Sequence, residues 1–295
     1  GNEMKVNIFS GTSDFGKKIA LILIDQIGVG NVVLTTRSIE KSKKFSEMGI
    51  EIRYADYNDP VSLEKSFKSE EILILIPSIS PPFKRVTEFQ NALDAAKKNK
   101  VKRLILSSIF NITKGVNSTF MMTPFYLYAE SSLKLSGLNY TIVRNSWYTE
   151  VLLNEKENIL EEPAGNGKTS YMGKDEMAKA VAFTALDDKH INKSYTLVSD
   201  RLIDYYEIAD ILSSVKKEQY YYKPMSREKY KEKLISVYGV QEYFSDILIS
   251  LYDSTAKGQD EIINNDYEKI TGEKPMTVEN YLKKITLEND GEFNG

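Results

Sequence analysis

The first half of the chain alternates short apolar runs with longer segments whose apolar residues recur at helical spacing. Each run is five or six residues long and rich in β-branched residues, which is typical of strands. The runs cover residues 5–10, 31–36, 50–54, 72–76, 103–107 and 140–144. Strands that alternate with helices predict an α/β fold with a doubly wound parallel sheet and right-handed crossovers.

The regular alternation ends near residue 150, and the rest of the chain is Tyr-rich, charged and mostly of helical pattern. Residues 195–198 form one more predicted strand, and residues 219–222 a predicted edge strand. We therefore predict a first domain over 4–150, with 176–200 returning to it. A smaller, mainly helical C-terminal domain is predicted over 151–175 and 201–290, as a substrate- or partner-binding cap.

Composition excludes several kinds of chemistry. The chain has no Cys and a single His, His190, so disulfides, thiolate nucleophiles and Cys- or multi-His metal sites are excluded. We expect His190 to be a bystander. The net charge of −3 argues against a nucleic-acid partner. The sequence contains no apolar stretch of membrane-spanning length and no signal-peptide pattern, so we expect a cytoplasmic protein without a membrane partner.

The turn after the first predicted strand consists of small residues and precedes a helix. Its sequence is Ser10-Gly11-Thr12-Ser13-Asp14-Phe15-Gly16. A dinucleotide pyrophosphate requires such a turn, because backbone N–H groups at a helix N-terminus meet its negative charge. The glycine pattern is incomplete, so the turn also fits an ordinary capped strand–helix connection.

The second predicted strand ends at Thr36-Arg37-Ser38, where NAD-preferring folds tend to carry a carboxylate for the ribose. An Arg at this position can pair with an adenosine 2′-phosphate. The sequence therefore favours NADP(H) over NAD(H) and a Rossmann-type first domain.

Beyond these two features, the chain resembles the NmrA-like branch of the atypical short-chain dehydrogenase/reductases, in particular bacterial NAD(P)H:quinone oxidoreductase-like proteins. The resemblance extends over nearly the full length. Besides the first turn and Thr36-Arg37, it is carried by four further segments: Ala55–Asp59, Ser107-Ser108, Ser136–Tyr148 and Ala164–Lys168.

The resemblance implies roles for individual residues. The pyrophosphate would be held by the first turn, at Ser10, Gly11, Thr12, Ser13, Phe15 and Gly16. Arg37 would bind the 2′-phosphate, and Asp56 and Tyr57 would lie beside adenine. The ribose, pyrophosphate and nicotinamide would be approached by Pro77, Ser78, Asn145 and Trp147. Candidate catalytic contacts are Ser107, Tyr126, Tyr128 and Tyr148.

Two departures from the family pattern bear on activity. Ser10 and Ser13 replace two glycines of the usual turn. The Tyr-x-x-x-Lys pair of the wider superfamily is absent, because Glu130 follows Tyr126 at the fourth position and Ser132 follows Tyr128. Related quinone reductases keep a Lys that aligns with Ser131.

Reduction of a quinone does not require a strongly tuned acid, because the reduced product is a stabilised anion, whereas reduction of a simple ketone does. Our hypothesis is hydride transfer from NADPH to a quinone or similar conjugated small-molecule acceptor. The alternative is a non-catalytic NAD(P)-sensing regulator, which would act through a protein partner.

Overall fold

A computed structural model describes residues 4–294 and contains one sheet of seven strands. The strands are β1 (Val6–Phe9), β2 (Val32–Thr36), β3 (Glu51–Tyr54), β4 (Ile72–Leu75), β5 (Arg103–Ile109), β6 (Tyr140–Asn145) and β10 (Lys193–Leu197). Their order across the sheet is β3-β2-β1-β4-β5-β6-β10, and the five neighbouring pairs whose register is defined are all parallel. This is the predicted Rossmann-type α/β fold.

The strand order reverses between β1 and β4. The chain passes from β1 outward to β2 and β3, and then returns across the sheet to β4. In open α/β sheets, ligands bind in the crevice outside the carboxyl ends of the strands at such a reversal. The turn after β1 and the segment after β4 border this crevice.

The helices of the sheet region follow their strands as the periodicity predicts. They are α1 (Asp14–Ile27), α2 (Lys43–Glu47), α3 (Pro60–Ser66), α4 (Pro82–Lys98), α5 (Thr123–Lys134) and α6 (Lys174–Ala185). In α1, Phe15, Ile19 and Leu23 are buried on one face, and Gly28 ends the helix at a φ of +85°. That φ lies in the left-handed region, which only glycine adopts without strain.

The chain divides into two compact units, and both are discontinuous in sequence. The first consists of residues 4–109, 125–145 and 175–196, and the second of residues 110–124, 146–174 and 197–294. Segment 110–124 therefore groups with the second unit, although the predicted boundaries place it in the first domain. The role of the second unit as a substrate- or partner-binding cap stays a prediction.

The second unit is mainly helical, as predicted. Its helices are α7 (Tyr205–Lys216), α8 (Arg227–Ser236), α9 (Glu242–Ala256), α10 (Asp266–Thr271) and α11 (Val278–Asn294). Two small parallel sheets pair β7 (Trp147–Tyr148) with β9 (Tyr171–Met172), and β8 (Ile159–Leu160) with β11 (Tyr221–Tyr222). The predicted edge strand at 219–222 is thus β11, paired outside the main sheet.

A hydrogen-bonded carboxylate anchors this second unit. Asp260 is fully buried and accepts hydrogen bonds from Ser254 and Thr255, both at 2.5 Å, and from Thr169 and Asn111 at 3.1 and 3.3 Å. Burial raises the pKa of Asp260, and these four donors offset part of the cost of removing the carboxylate from water.

None of the described helices is both long and apolar enough to cross a membrane.

His190 lies in the core of the first unit, 2% exposed, with its Nδ1 2.8 Å from the Tyr195 hydroxyl. Burial lowers the pKa of His190 below its ordinary value. This histidine is therefore neutral in the folded chain and becomes protonated more readily when the chain unfolds, near pH ~6.5.

We expect the contribution of neutral His190 to stability to be complete above pH ~6.5 and to fall as the pH drops below that value. The slope of this loss cannot exceed about 1.4 kcal/mol per pH unit, the value for one proton. Denaturant unfolding of the wild type and of His190→Gln at several pH values measures it. Because the chain has one His, carboxylate titration is common to both proteins, and parallel stability–pH curves would contradict the expectation.

Candidate functional site

The turn after β1 begins with a non-glycine residue in a left-handed backbone conformation. Ser10 has a φ of +69°, which costs an L-residue roughly 1 kcal/mol or more. The backbone N–H groups of Ser10 and Gly11 both donate to the Thr35 carbonyl, at 3.1 and 3.2 Å. The Ser10 hydroxyl donates to the Ile76 carbonyl at 3.1 Å. The turn is thereby fixed to β2 on one side and to the end of β4 on the other.

Ser13, the second serine in a family glycine position, is the N-cap of α1. Its hydroxyl donates to the Ser10 carbonyl at 2.8 Å and accepts from the Gly16 N–H at 3.0 Å. The hydroxyl protons of Ser10 and Ser13 are thus both used within the protein. In this arrangement neither serine has a hydroxyl proton to donate to a phosphate.

The two remaining glycines of the turn sit where no side chain fits. A Cβ on Gly16 would lie 2.4 Å from the Ser10 carbonyl oxygen, and one on Gly11 would lie 2.7 Å from Leu34. The turn therefore allows the N-terminus of α1 to approach the end of β1 closely. This geometry supports a phosphate cradle, because the helix N-terminus and its backbone N–H groups attract an anion.

Arg37 lies next to this cradle, immediately after β2. Thr36 joins the two features, since its hydroxyl lies 2.7 Å from that of Thr12 and also accepts from the Ser38 N–H at 2.9 Å. Arg37 itself is exposed, and its guanidinium forms no ion pair or hydrogen bond with any residue in the described part of the chain. Its charge is therefore available to an anionic group at the end of β2.

Tyr57 and Asp56 follow β3, on the same edge of the sheet. Tyr57 is buried, packs its ring 4.3 Å from that of Phe9, and donates its hydroxyl to the Ile76 carbonyl at 2.6 Å. Burial raises the pKa of the Tyr57 phenol. Asp56 accepts from the Asn58 N–H at 2.8 Å. These residues form a rigid wall beside the turn, with Ile76 as a shared acceptor.

The segment after β4 is held by a buried carboxylate that the sequence analysis missed. Glu88, on α4, accepts from the Ser78 hydroxyl at 2.7 Å and from the Asn58 side-chain amide at 3.3 Å. Pro77 and Ser78 line a small crevice together with Tyr57, Arg85 and Glu88. A charged residue on the buried face of α4 was the only signal in the sequence that could have identified Glu88.

Ser107 and Asn145 come together at the carboxyl ends of β5 and β6. The Asn145 amide donates to the Ser107 hydroxyl oxygen at 3.4 Å, while the Asn145 Oδ1 is buried and accepts from no described group. The Ser107 hydroxyl donates to no described residue. One donor and one acceptor are therefore available at this edge of the sheet.

The tyrosines of α5 face different neighbours. The Tyr126 hydroxyl lies 3.5 Å from Arg85, and burial raises the pKa of this phenol. Tyr128 donates to Gln90 on α4 and packs its ring 6.2 Å from that of Phe89. The catalytic roles predicted for Tyr126 and Tyr128 stay predictions.

Glu130, four residues after Tyr126, forms a buried ion pair. Its carboxylate accepts from Arg144 at 2.7 and 3.0 Å and from the Ser108 hydroxyl at 2.7 Å. The Glu130 and Arg144 side chains are 6% and 16% exposed. Ser131, by contrast, is exposed on α5. The Glu130–Arg144 pair serves the packing of α5 against the sheet.

Trp147 and Tyr148 belong to the second unit. The Trp147 ring stacks on Tyr252 with centroids 5.6 Å apart and lies 5.9 Å from Tyr171. The Tyr148 ring lies 4.9 Å from the ammonium of Lys174. Their predicted nicotinamide-side and catalytic roles stay predictions.

Within the described ranges, no group of three or more His, Asp and Glu residues could hold a metal ion.

With this geometry established, comparison with known proteins gives consistent matches. The profile of a family described as NAD(P)H-binding matches residues 11–189, more than half of the chain. Among curated proteins, quinone oxidoreductase 2 of Escherichia coli is 27% identical over 86% of this chain and 88% of its own length. An NmrA-like family domain-containing oxidoreductase of Aspergillus flavus is 22% identical over 97% and 96%.

Solved structures match over the same length. A nucleoside-diphosphate-sugar epimerase from Staphylococcus aureus superposes with a TM-score of 0.87 at 27% identity, covering 95% of this chain and all of that one. The triphenylmethane reductase of Citrobacter sp., complexed with NADP(H), has a TM-score of 0.88 at 25% identity and covers 95% and 99%. Both comparisons extend beyond the sheet into the C-terminal residues.

Proposed function

The chain belongs to the NAD(P)H-binding family, and on that premise we propose that it is an oxidoreductase that uses NADPH to reduce a quinone or a similar conjugated acceptor. The observation that carries the choice of NADPH is Arg37, an exposed and unpaired guanidinium immediately after β2. A carboxylate at this position would repel a 2′-phosphate, whereas an Arg binds it with charge-assisted hydrogen bonds.

The residues of the first unit fit the cofactor. Gly11 and Gly16 leave the space that a Cβ would fill, so a pyrophosphate would bind at the N-terminus of α1 with Thr12 and Phe15 in the same turn. Ser10 and Ser13 would shape this turn instead of binding phosphate, because their hydroxyls are bonded within it. Asp56 and Tyr57 would border the adenine, and Pro77 and Ser78 the ribose.

NADPH, when bound, supplies the hydride, and the chain positions the acceptor. The Ser107 hydroxyl would donate to the acceptor oxygen, since no described residue receives its proton. Asn145 would keep that hydroxyl oriented through its 3.4 Å hydrogen bond. A quinone would take up one hydride from NADPH and one proton from solvent to give a hydroquinone and NADP⁺, so two electrons pass to the acceptor.

The absence of the Tyr-x-x-x-Lys pair supports an acceptor of this class. Glu130 is committed to Arg144 and Ser108 and cannot lower the pKa of Tyr126 as a lysine would. A simple ketone, whose product is a poor alkoxide, would require that assistance, and a quinone does not. The E. coli relative, a quinone oxidoreductase by name, supports the same choice.

Stopped-flow mixing of the protein with NADPH and a benzoquinone tests the proposal. We expect loss of reduced-nicotinamide absorbance that depends on the protein. Ser107→Ala should lower kcat/KM about tenfold through the loss of one hydrogen bond to the acceptor. Ser69→Ala, at an exposed position after α3, is the matched control and should behave like the wild type.

One outcome would overturn the enzymatic proposal in favour of the alternative function. Tight NADPH binding without turnover across a panel of quinones would indicate a non-catalytic NAD(P) sensor. A protein partner would then be sought by pull-down with and without NADPH. Absence of NADPH binding would contradict both functions.

A further inference from the structure

The second unit contains a cavity that is lined by residues of this unit. Its volume is about 320 Å³, at the lower end of the range for small-molecule sites. Five aromatic side chains line it: Trp147, Tyr205, Tyr230, Tyr238 and Tyr252. Tyr252 contacts two of the other rings. The Trp147 ring stacks on it with centroids 5.6 Å apart, and the Tyr230 ring meets it edge-on with centroids 5.7 Å apart.

Four glutamates and two lysines also line the cavity, so the carboxyl groups outnumber the ammonium groups. Lys233 binds both Glu161, at 2.5 Å, and Glu157, at 3.1 Å. The ammonium of Lys156 lies 5.0 Å above the Tyr238 ring and is exposed. Glu155 and Glu162 are the two remaining carboxyls. No lysine or arginine of the described residues forms an ion pair with either one, and Lys216 and Lys233 act on Glu155 only from a distance.

Glu162 is the more deeply buried of these two. It is 5% exposed, and its Oε2 is buried and accepts no hydrogen bond from the described residues. Burial, together with the neighbouring Glu162, raises the pKa of Glu155 to about 10. Glu155 therefore keeps its proton near neutral pH, and the buried Oε2 of Glu162 is left without an internal donor. A buried carboxyl oxygen without a partner is unfavourable unless a ligand brings a donor or a positive charge to it.

We propose that this cavity binds a flat organic monocation, with its positive charge against the Glu155–Glu162 pair and its apolar body against Trp147 and Tyr252. Aromatic faces attract organic cations, and a desolvated carboxylate supplies the matching charge. A neutral aromatic would fill the same space but leave the carboxylate without a partner. An anion would be repelled.

The chain provides its own site-specific reporter, because Trp147 is its single tryptophan. The experiment titrates the full chain, without NADPH, with three probes of similar shape: N-methylquinolinium, neutral quinoline and anionic 2-naphthoate. We expect the cation to quench tryptophan fluorescence and to bind about tenfold or more tighter than quinoline. Naphthoate should bind more weakly than either.

Variants then assign the preference to the carboxyl pair. Glu162→Gln should remove most of the cation's advantage while leaving quinoline binding unchanged. Glu157→Gln, which alters a cavity glutamate already paired with Lys233, is the matched control and should retain the advantage. Thermal unfolding confirms that each variant folds, and the wild-type comparison of cation with neutral probe does not depend on any variant.

Three results would overturn the proposal: equal binding of cation and neutral probe, tighter binding of the anion, or an undiminished cation preference in Glu162→Gln. The readout does not involve NADPH or turnover. Failure here is therefore distinguishable from failure of the proposed oxidoreductase function.

Discussion

Arg37→Ala is expected to weaken NADPH binding about 10- to 100-fold and to leave NADH binding within about twofold of the wild type. The two cofactors differ only in the adenosine 2′-phosphate, so a residue that contacts this group alone changes the affinity for one and not for the other. A charge-assisted hydrogen bond contributes about 1.5–3 kcal/mol, which corresponds to this range. Arg37 forms no competing ion pair in the described structure, so the whole contribution is available to the ligand.

Fluorescence or calorimetric titration with both cofactors measures this selectivity. Lys41→Ala is the matched control, because Lys41 is an exposed cation four residues further along the chain and should contribute only long-range attraction. Raising the ionic strength should weaken NADPH binding in the wild type more than in Arg37→Ala. Equal losses for NADPH and NADH would show that Arg37 supports the fold and not the phosphate.

Arg144→Met is expected to destabilise the protein by about 3–5 kcal/mol. The substitution removes both guanidinium contacts to Glu130 and leaves that carboxylate, 6% exposed, with Ser108 as its one remaining donor among the described residues. The penalty comes mainly from the unpaired buried charge and not from the lost attraction. Denaturant unfolding, with the slope checked for constancy, measures the change in the free energy of unfolding.

Two comparisons separate that cause from ordinary loss of packing. Lys98→Met breaks an exposed ion pair with Glu64, in which Lys98 is 66% exposed, and should cost no more than about 1 kcal/mol. The double variant Glu130→Leu/Arg144→Met removes both charges and should recover most of the loss. A double variant as unstable as Arg144→Met would contradict the buried-charge explanation.

The fold and the family could be predicted because they depend on patterns that are local in sequence. The apolar runs coincide with β1 to β6, the strand predicted at 195–198 is β10 at the sheet edge, and the α/β fold class is confirmed. The resemblance to NmrA-like oxidoreductases is confirmed as well. Placing Arg37 after β2 and next to the first turn required only the strand order of a Rossmann-type sheet.

The details of the candidate site depend on contacts between residues distant in sequence, which no local pattern contains. The hydroxyl of Ser10 is engaged by Ile76, 66 residues away, and Glu130 by Arg144. The sequence therefore left open whether Ser10 and Ser13 donate to phosphate. It also gave no sign that Glu155 and Glu162 line one cavity, because the two residues lie in irregular segments on either side of β8 and share no periodic pattern. His190, expected to be a bystander, proves to be a buried core residue.

The interleaving of the two compact units has a consequence for how the chain acquires its structure. The second unit is assembled from three separate segments, and the last of them begins at residue 197. During synthesis, segments 110–124 and 146–174 leave the ribosome long before the helices that complete their unit. These segments must remain unpaired or transiently collapsed during that interval, and the loops they close later are long. The second unit therefore completes its fold only after its last segment has been synthesised. Helical proteins with mainly local contacts, by contrast, usually fold fast.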